Sequence, residues 1–142
     1  MPGDGTADDP RQLLAQRDIV QVELQRMERR MAAIEEAMME AQRAIATVRG
    51  LAEAGGGTHD LLVPVGAGVH VKAQAKGGAT ILLPLGAGLL TEGKPEDVIA
   101  ALEERVKGIN RSFDEASEQA EQLTNAAAVI EEKLGGAGPG EN

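Results

Sequence analysis

Two stretches of the sequence have residue types and spacing that could support chemistry. The first, Gly88–Lys94, has the spacing of a phosphate-binding loop between an apolar run and a predicted helix. The next residue is Pro95, where that motif requires Ser or Thr to hold magnesium, and proline lacks the N–H that a helix start offers a phosphate. We therefore interpret Gly93 and Pro95 as a turn and a helix start, and we expect no nucleotide cofactor.

The second stretch contains His59, between Thr58 and Asp60, and could suggest a general base. The serines of the chain, Ser112 and Ser117, lie inside a predicted helix, and the chain has no cysteine to act as a nucleophile. Metal binding needs several ligands that converge, and the residues around His59 and His70 are mostly apolar. The sequence therefore predicts no catalytic residue, metal site or cofactor, and the protein is expected not to be an enzyme.

The composition of the chain argues against nucleic acid and membrane as partners. The chain has 142 residues, 14 of them basic and 23 acidic, and its net charge is −9. A negative chain gains nothing from a phosphate backbone, so we expect no nucleic-acid partner. The longest apolar run, residues 81–90, is about half the ~20 residues of a spanning helix. With no cysteine and no leader-like start, the sequence fits a cytoplasmic protein without membrane contact.

Two long stretches, residues 9–54 and 95–134, repeat apolar residues at alternating steps of three and four. A sustained 3.5-residue period is typical of a coiled coil. Asp9 and Pro10 have the types expected at a helix start, whereas Gly135 and Gly136 are expected to end the second helix. Small polar residues at 1–8 and 135–142 predict disordered tails. One charged residue, Arg17, interrupts the first apolar row, and it could set the register or lie at a frayed surface.

Equal lengths predict that the two helices form an antiparallel coiled-coil hairpin within one chain. Two registers, one heptad apart, satisfy the apolar rows. The first alternates large and small residues, for example Ala41 opposite Phe113, and uniform packing favours it. It leaves Leu13 and Leu14 uncovered at the open end. The second register places Ile34 opposite Phe113 instead.

The glycine-rich middle, residues 60–92, contains an internal repeat. Residues 62–69, LVPVGAGV, return twenty residues later as LLPLGAGL at 82–89. Each copy predicts a β-hairpin around a Gly-Ala-Gly turn, with Pro64 and Pro84 at strand edges or bulges. Two hairpins this small need strands from other subunits. The residues expected to form that interface are Leu62, Val63, Val65, Val69, Val71, Ile81, Leu83, Leu85 and Leu89.

Two long helices around a doubled hairpin resemble the α-type subunits of the prefoldin family, of the archaeal kind. The motif that carries the resemblance is residues 62–68, LVPVGAG, and its second copy. The resemblance implies an α+β fold in which the hairpins at the closed end of the coiled coil join an intersubunit β-barrel. It also implies a hetero-hexamer with two α-type and four β-type subunits. Its implied function is ATP-independent capture of unfolded proteins at the coiled-coil tips and their transfer to a group II chaperonin.

Apolar residues at the open end of the coiled coil fit that function, because nonspecific capture needs exposed apolar surface. The expected client contacts are Leu13, Leu14, Val20, Ile130 and Leu134. A structural or adaptor coiled coil that never binds unfolded chains shares every assembly feature and stays the alternative. The two hypotheses differ in whether the open end binds unfolded proteins.

Overall fold

The computed structural model of the chain describes residues 9–78 and 80–137. Helix α1 spans Pro10–Glu53 and helix α2 spans Pro95–Ala137. Four strands lie between them in the chain: β1 at Thr58–Gly66, β2 at Val69–Lys76, β3 at Ile81–Gly86 and β4 at Leu89–Gly93. Strands β1 and β2 form one antiparallel hairpin, hairpin 1, and β3 and β4 form a second, hairpin 2. The predicted order of two long helices around a doubled hairpin is confirmed.

Local signals explain where the helices begin. The Asp9 carboxylate accepts a hydrogen bond of 3.0 Å from the backbone N–H of Arg11, and this caps the otherwise unpaired first turn of α1. Pro10 occupies the first helical position. Glu96 and Asp97 lie in the first turn of α2, where the helix dipole favours negative charge.

The end of α2 differs from the prediction. We expected Gly135 and Gly136 to end the helix, but α2 continues through both to Ala137. A glycine costs a helix interior only about 1 kcal/mol relative to alanine, so a glycine pair does not by itself stop a long helix. The remaining residues of the two expected tails, 1–8 and 138–142, lie outside the described part of the chain.

The chain divides into two structural units. Unit 1 takes the described residues 9–37 of α1 and 109–137 of α2. Unit 2, Met38–Gly108, takes the rest of both helices and the two hairpins. Within residues 9–78 and 80–137, neither helix contains a segment long and apolar enough to cross a membrane.

In unit 1 the predicted apolar rows of α1 and α2 form the buried seam. Leu13 is only 1% exposed, and Met27, Ala116 and Ile130 are also buried. Arg17 of α1 forms an ion pair with Glu131 of α2, with 3.6 Å between Nη1 and Oε1. These residues place the start of α1 beside the last described turns of α2, as an antiparallel pair requires.

In unit 2 a small core joins the helices to hairpin 2. Val48 of α1 packs with Val98 and Leu102 of α2, and all three are buried. Ile81 and Leu83 of β3 pack against this cluster from the sheet side. Residues Ala44, Ile45 and Ile99 complete its border. An ion pair between Arg49 and Glu103, 3.3 Å apart, lies at the surface of the same unit.

The register favoured by side-chain volume is wrong. That register leaves Leu13 uncovered, whereas the structure buries it almost completely. The Arg17–Glu131 pair in unit 1 and the packing of Ile99 on the Val48 cluster in unit 2 both fit the second register, one heptad away. The physical reason is burial of apolar surface. The second register places α2 against the first turns of α1, and each leucine buried there contributes about 2 kcal/mol to stability.

Both hairpins turn in the same way. Residues Ala67 and Gly68 connect β1 to β2 with φ values of 52° and 76°, and Ala87 and Gly88 repeat this with 52° and 75°. Two consecutive positive φ values define a turn whose twist matches that of the flanking strands. The ladder shifts register between Pro64 and Gly66, and again at the equivalent position after Pro84. Of the two expectations for the prolines, strand edges or bulges, the register shifts fit the second.

A close backbone contact ties the base of hairpin 1 to the loop after α1. The Gly77 N–H donates a hydrogen bond of 2.6 Å to the Gly57 carbonyl. A Cβ atom added at Gly77 would collide with the Gly55 carbonyl. Glycine is required at position 77 because of this close approach, not because of its φ angle.

Candidate binding surfaces

Exposed apolar side chains are concentrated on the hairpins. Of the fourteen large hydrophobic residues that are exposed in the described part of the chain, nine lie there: Leu62, Val63, Val65, Val69, Val71, Leu82, Leu85, Leu89 and Leu90. Each hairpin forms its own two-stranded sheet, so the outer edges of both sheets carry backbone groups without a ladder partner in the described residues. Apolar faces next to open edges are typical of a surface that another chain covers.

The structure separates the residues that we expected at the subunit interface into two groups. Leu62, Val63, Val65, Val69, Val71, Leu85 and Leu89 are exposed. Ile81 and Leu83 are half-buried because they pack on the Val48 cluster of the same chain. Their place in the fold is thus to hold hairpin 2 on the helices. Leu82 and Leu90, which the sequence analysis did not select, are exposed on the opposite face of hairpin 2.

Unit 1 contains a second apolar surface. An open groove of about 460 Å³ lies between the helices, lined by Leu13, Gln16, Ile19, Val20, Ala126, Val129, Ile130 and Lys133. Ile19 is 64% exposed and Val129 is 50% exposed, one on each helix. Leu14 and Val22 add further exposed apolar area on α1.

The groove brings together three of the five residues expected to contact clients. Leu13, Val20 and Ile130 all line it, but Leu13 and Ile130 are buried in the seam and form its floor. Leu14 is 42% exposed and lies outside the lining. Leu134 is half-buried and also lies outside the lining.

Sequence reasoning missed the exposed members of this surface, Ile19, Val22 and Val129. The signal was present, because all three are large apolar residues outside the 3.5-residue rows. A residue outside the seam of a two-helix coil faces solvent, so an apolar type at such a position predicts exposed apolar surface.

Arg17 lies in the seam beside this groove. Its side chain is 34% exposed and its terminal nitrogen reaches Glu131 of α2, which does not fit the hypothesis of a surface position where the coil frays. Its Nε is buried and has no hydrogen-bond partner. Buried donors are almost always satisfied, so this atom makes the seam less favourable at this position.

The stretches that could have supported chemistry have structural roles. Nε2 of His59 donates to the Gly55 carbonyl at 3.0 Å, and Nδ1 of His70 donates to the Gly68 carbonyl at 3.1 Å. Residues Leu89–Gly93, which make up most of the stretch with the spacing of a phosphate-binding loop, form strand β4 rather than a loop. Within residues 9–78 and 80–137, no three carboxylate or imidazole side chains are grouped as a metal site requires.

Comparison with known proteins identifies the family. A family profile described as "Prefoldin subunit" matches residues 20–137. The chain belongs to the prefoldin family. Prefoldins are chaperones rather than enzymes, and this chain is therefore a prefoldin chaperone subunit.

Similar prefoldins support the α-type assignment. The prefoldin subunit alpha of Methanoculleus marisnigri is 28% identical over 114 residues, which cover 80% of this chain and 74% of that protein. The prefoldin subunit alpha of Methanococcoides burtonii is 25% identical over 131 residues, covering 92% of this chain and 94% of the relative.

A solved structure supports the fold. The cryo-EM structure of filamentous PFD from Methanocaldococcus jannaschii matches with a TM-score of 0.50 and 21% identity, covering 89% of this chain and 96% of that one. The architecture of two long helices with two hairpins between them is the prefoldin fold.

Proposed function

We propose that this prefoldin subunit captures unfolded proteins without ATP on the apolar groove of unit 1. The observation that carries the proposal is the pair of exposed side chains at the groove, Ile19 and Val129, above a floor that includes Leu13 and Ile130. Unfolded chains differ from folded ones in displaying apolar side chains, and an open apolar groove gains free energy from covering them.

The hairpins serve assembly in this proposal. Their exposed valines and leucines become buried in β-sheet contacts with other prefoldin subunits, two α-type with four β-type. The captured protein then passes to a group II chaperonin in the cytoplasm, as the resemblance to the family implies. No nucleotide takes part in holding the client.

The test is light scattering from a chemically denatured client diluted into buffer without nucleotide. The chain is assembled with β-type prefoldin subunits, and we expect suppressed aggregation at near-stoichiometric amounts. The double variant Leu14→Ser/Ile19→Ser removes exposed apolar area of unit 1 and is expected to weaken suppression severalfold. Both side chains are exposed, so the seam and the assembled complex should persist.

The matched control is Met39→Ser. Met39 is 53% exposed, between Leu14 at 42% and Ile19 at 64%, and it also lies on α1 but belongs to unit 2. Equal loss of suppression in this control would contradict the assignment to the groove. No suppression by a correctly assembled wild-type complex would favour the scaffold alternative. Leu13→Ser is unsuitable as a test, because Leu13 is buried and its loss would disrupt the helix pair.

A further inference from the structure

The groove of unit 1 is built from a second row of residues beside the seam. Five of its lining residues are exposed, and each of them directly precedes a buried or half-buried seam residue in the sequence. We call these five the flanking row: Gln16, Ile19, Ala126, Val129 and Lys133. Their spacing of three and four residues repeats that of the seam, so the flanking row runs beside the seam on both helices.

The apolar flanking row is wider than a two-helix coiled coil needs. A helix with one partner has a narrow seam, whereas a helix in a larger bundle has a wider apolar stripe that includes positions next to the seam. Ile19, Ala126 and Val129 widen the stripe in this way. The next positions of the row are Glu23 on α1 and Gln122 on α2, which are polar. The wide stripe is therefore confined to the groove, where a third helix could complete a bundle.

The length of the groove fits a short helix. Residues 126–133 of α2 extend over about 10 Å, and residues i, i+3 and i+7 of a bound helix extend over the same distance on one face. An extended segment covers that distance with about three residues, and its side chains alternate between two faces. A helix therefore places more apolar side chains in the groove than an extended segment does.

Backbone hydrogen bonding also favours a helix as the occupant. The described residues that line the groove are helical, and their own backbone groups bond to one another within α1 and α2. The groove therefore offers its occupant side chains rather than backbone partners. A buried backbone group without a partner is unfavourable, and a helix satisfies its own groups, whereas an extended segment leaves them unpaired.

Charge favours an occupant with acidic residues beside its apolar row. Among the eight described residues that line the groove, Lys133 is charged and none is acidic. The nearby carboxylate of Glu131 pairs with Arg17 outside this lining. Lys133 also interacts within its own chain, and an ammonium group has three N–H donors, so it can bind a carboxylate of the occupant in addition. Complementary charge of this kind contributes to specificity.

We propose that the groove of unit 1 binds unfolded proteins through short segments that become amphipathic helices on binding, with apolar residues at i, i+3 and i+7 and a carboxylate beside Lys133. The segment packs as a third helix against α1 and α2. Short helices are marginal in water, so the segment becomes ordered only in the groove, and this ordering keeps the binding weak and reversible. The inference rests on the proposed capture at the groove and names the class of segment captured.

The test is photo-crosslinking of designed peptides to the complex of this chain with β-type prefoldin subunits. A photoreactive residue replaces Gln16, a polar lining position, so that the apolar residues of the groove stay in place. Two labelled peptides have the same composition, with leucine, alanine and glutamine between terminal glutamates. In the helical peptide the leucines stand at i, i+3 and i+7, and in the alternating peptide at every second position. We expect the helical peptide to half-saturate crosslinking at a concentration at least about tenfold lower.

Two controls separate helix formation and charge from apolar content. A third peptide keeps the helical spacing but has proline at one central alanine, which breaks the helix, and it should crosslink like the alternating peptide. Lysines in place of the terminal glutamates should weaken crosslinking severalfold, and Lys133→Glu in the complex should reverse that preference. The matched control Lys107→Glu lies on the same helix but in unit 2, and it should leave the preference for glutamate unchanged.

Equal half-saturation of the helical, alternating and proline peptides overturns the proposal, because capture would then depend on apolar content alone. A preference for glutamate that persists in Lys133→Glu also overturns it. Crosslinks from position 16 to prefoldin subunits instead of the peptides would show that another subunit covers the groove, with the same consequence. Light scattering tests the proposed function separately. Suppressed aggregation without a helix preference leaves capture intact, whereas a helix preference without suppression contradicts the proposed function alone.

Discussion

Arg17 provides a quantitative test of the packing in unit 1, because a leucine there would complete the apolar seam. Its buried Nε has no acceptor, and an unsatisfied buried donor costs about 1–3 kcal/mol. Its ion pair joins side chains that are 34% and 57% exposed, and such pairs contribute at most about 1 kcal/mol. The arginine stem already covers part of the area that a leucine would cover, so the added burial is small. We expect Arg17→Leu to raise the free energy of unfolding by about 1–2 kcal/mol.

The measurement is urea unfolding followed by far-ultraviolet circular dichroism, at one fixed subunit concentration because assembly contributes to stability. Hydrogen exchange at the start of α1 gives a local check, since 1.4 kcal/mol of added stability slows exchange about tenfold. The matched control is Arg26→Leu, which removes an exposed arginine from the same helix and should change stability by less than about 0.5 kcal/mol. The reasoning is refuted if Arg17→Leu is no more stable than Arg26→Leu.

Two further predictions concern the hairpins. Ala67→Gly and Ala87→Gly relieve left-handed backbone at non-glycine residues, and each should stabilise its hairpin by about 1 kcal/mol. Slower hydrogen exchange of the strand amides measures this, and unchanged exchange would contradict it. Gly77→Ala should destabilise unit 2 by more than about 2 kcal/mol because its Cβ meets a backbone carbonyl. The control is Gly56→Ala, because a Cβ atom at Gly56 would have no neighbour within 4 Å. Urea unfolding measures both variants, and equal midpoints would contradict the prediction.

Most of the fold could be predicted from the sequence because its local signals agree with one another. The twenty-residue repeat predicted both hairpins, and the prolines indicated strand edges or bulges near the register shifts that follow them. The 3.5-residue rows predicted which residues lie in the seam of unit 1, including Met27 and Ala116. These features depend on neighbours within a few residues or on one helix face, which a sequence displays directly.

What the sequence could not provide was how elements pack against each other. The register depended on covering the first turns of α1, and volumes of paired residues alone favoured the wrong choice. In the sequence, Ile81 and Leu83 have the same apolar character as the other hairpin residues, and only the packing of hairpin 2 on the Val48 cluster distinguishes them. The unsatisfied Nε of Arg17 is likewise set by packing between two helices.

Site-specific photo-crosslinking tests the central claim most directly. A photoreactive residue replaces Ile19 at the groove of unit 1 in one preparation and Met39 of unit 2 in another, and each assembled complex receives a denatured client without nucleotide. The account predicts client crosslinks at position 19 and few at position 39. Equal crosslinking at both positions, or crosslinking at position 39 alone, would contradict capture of unfolded proteins at the groove.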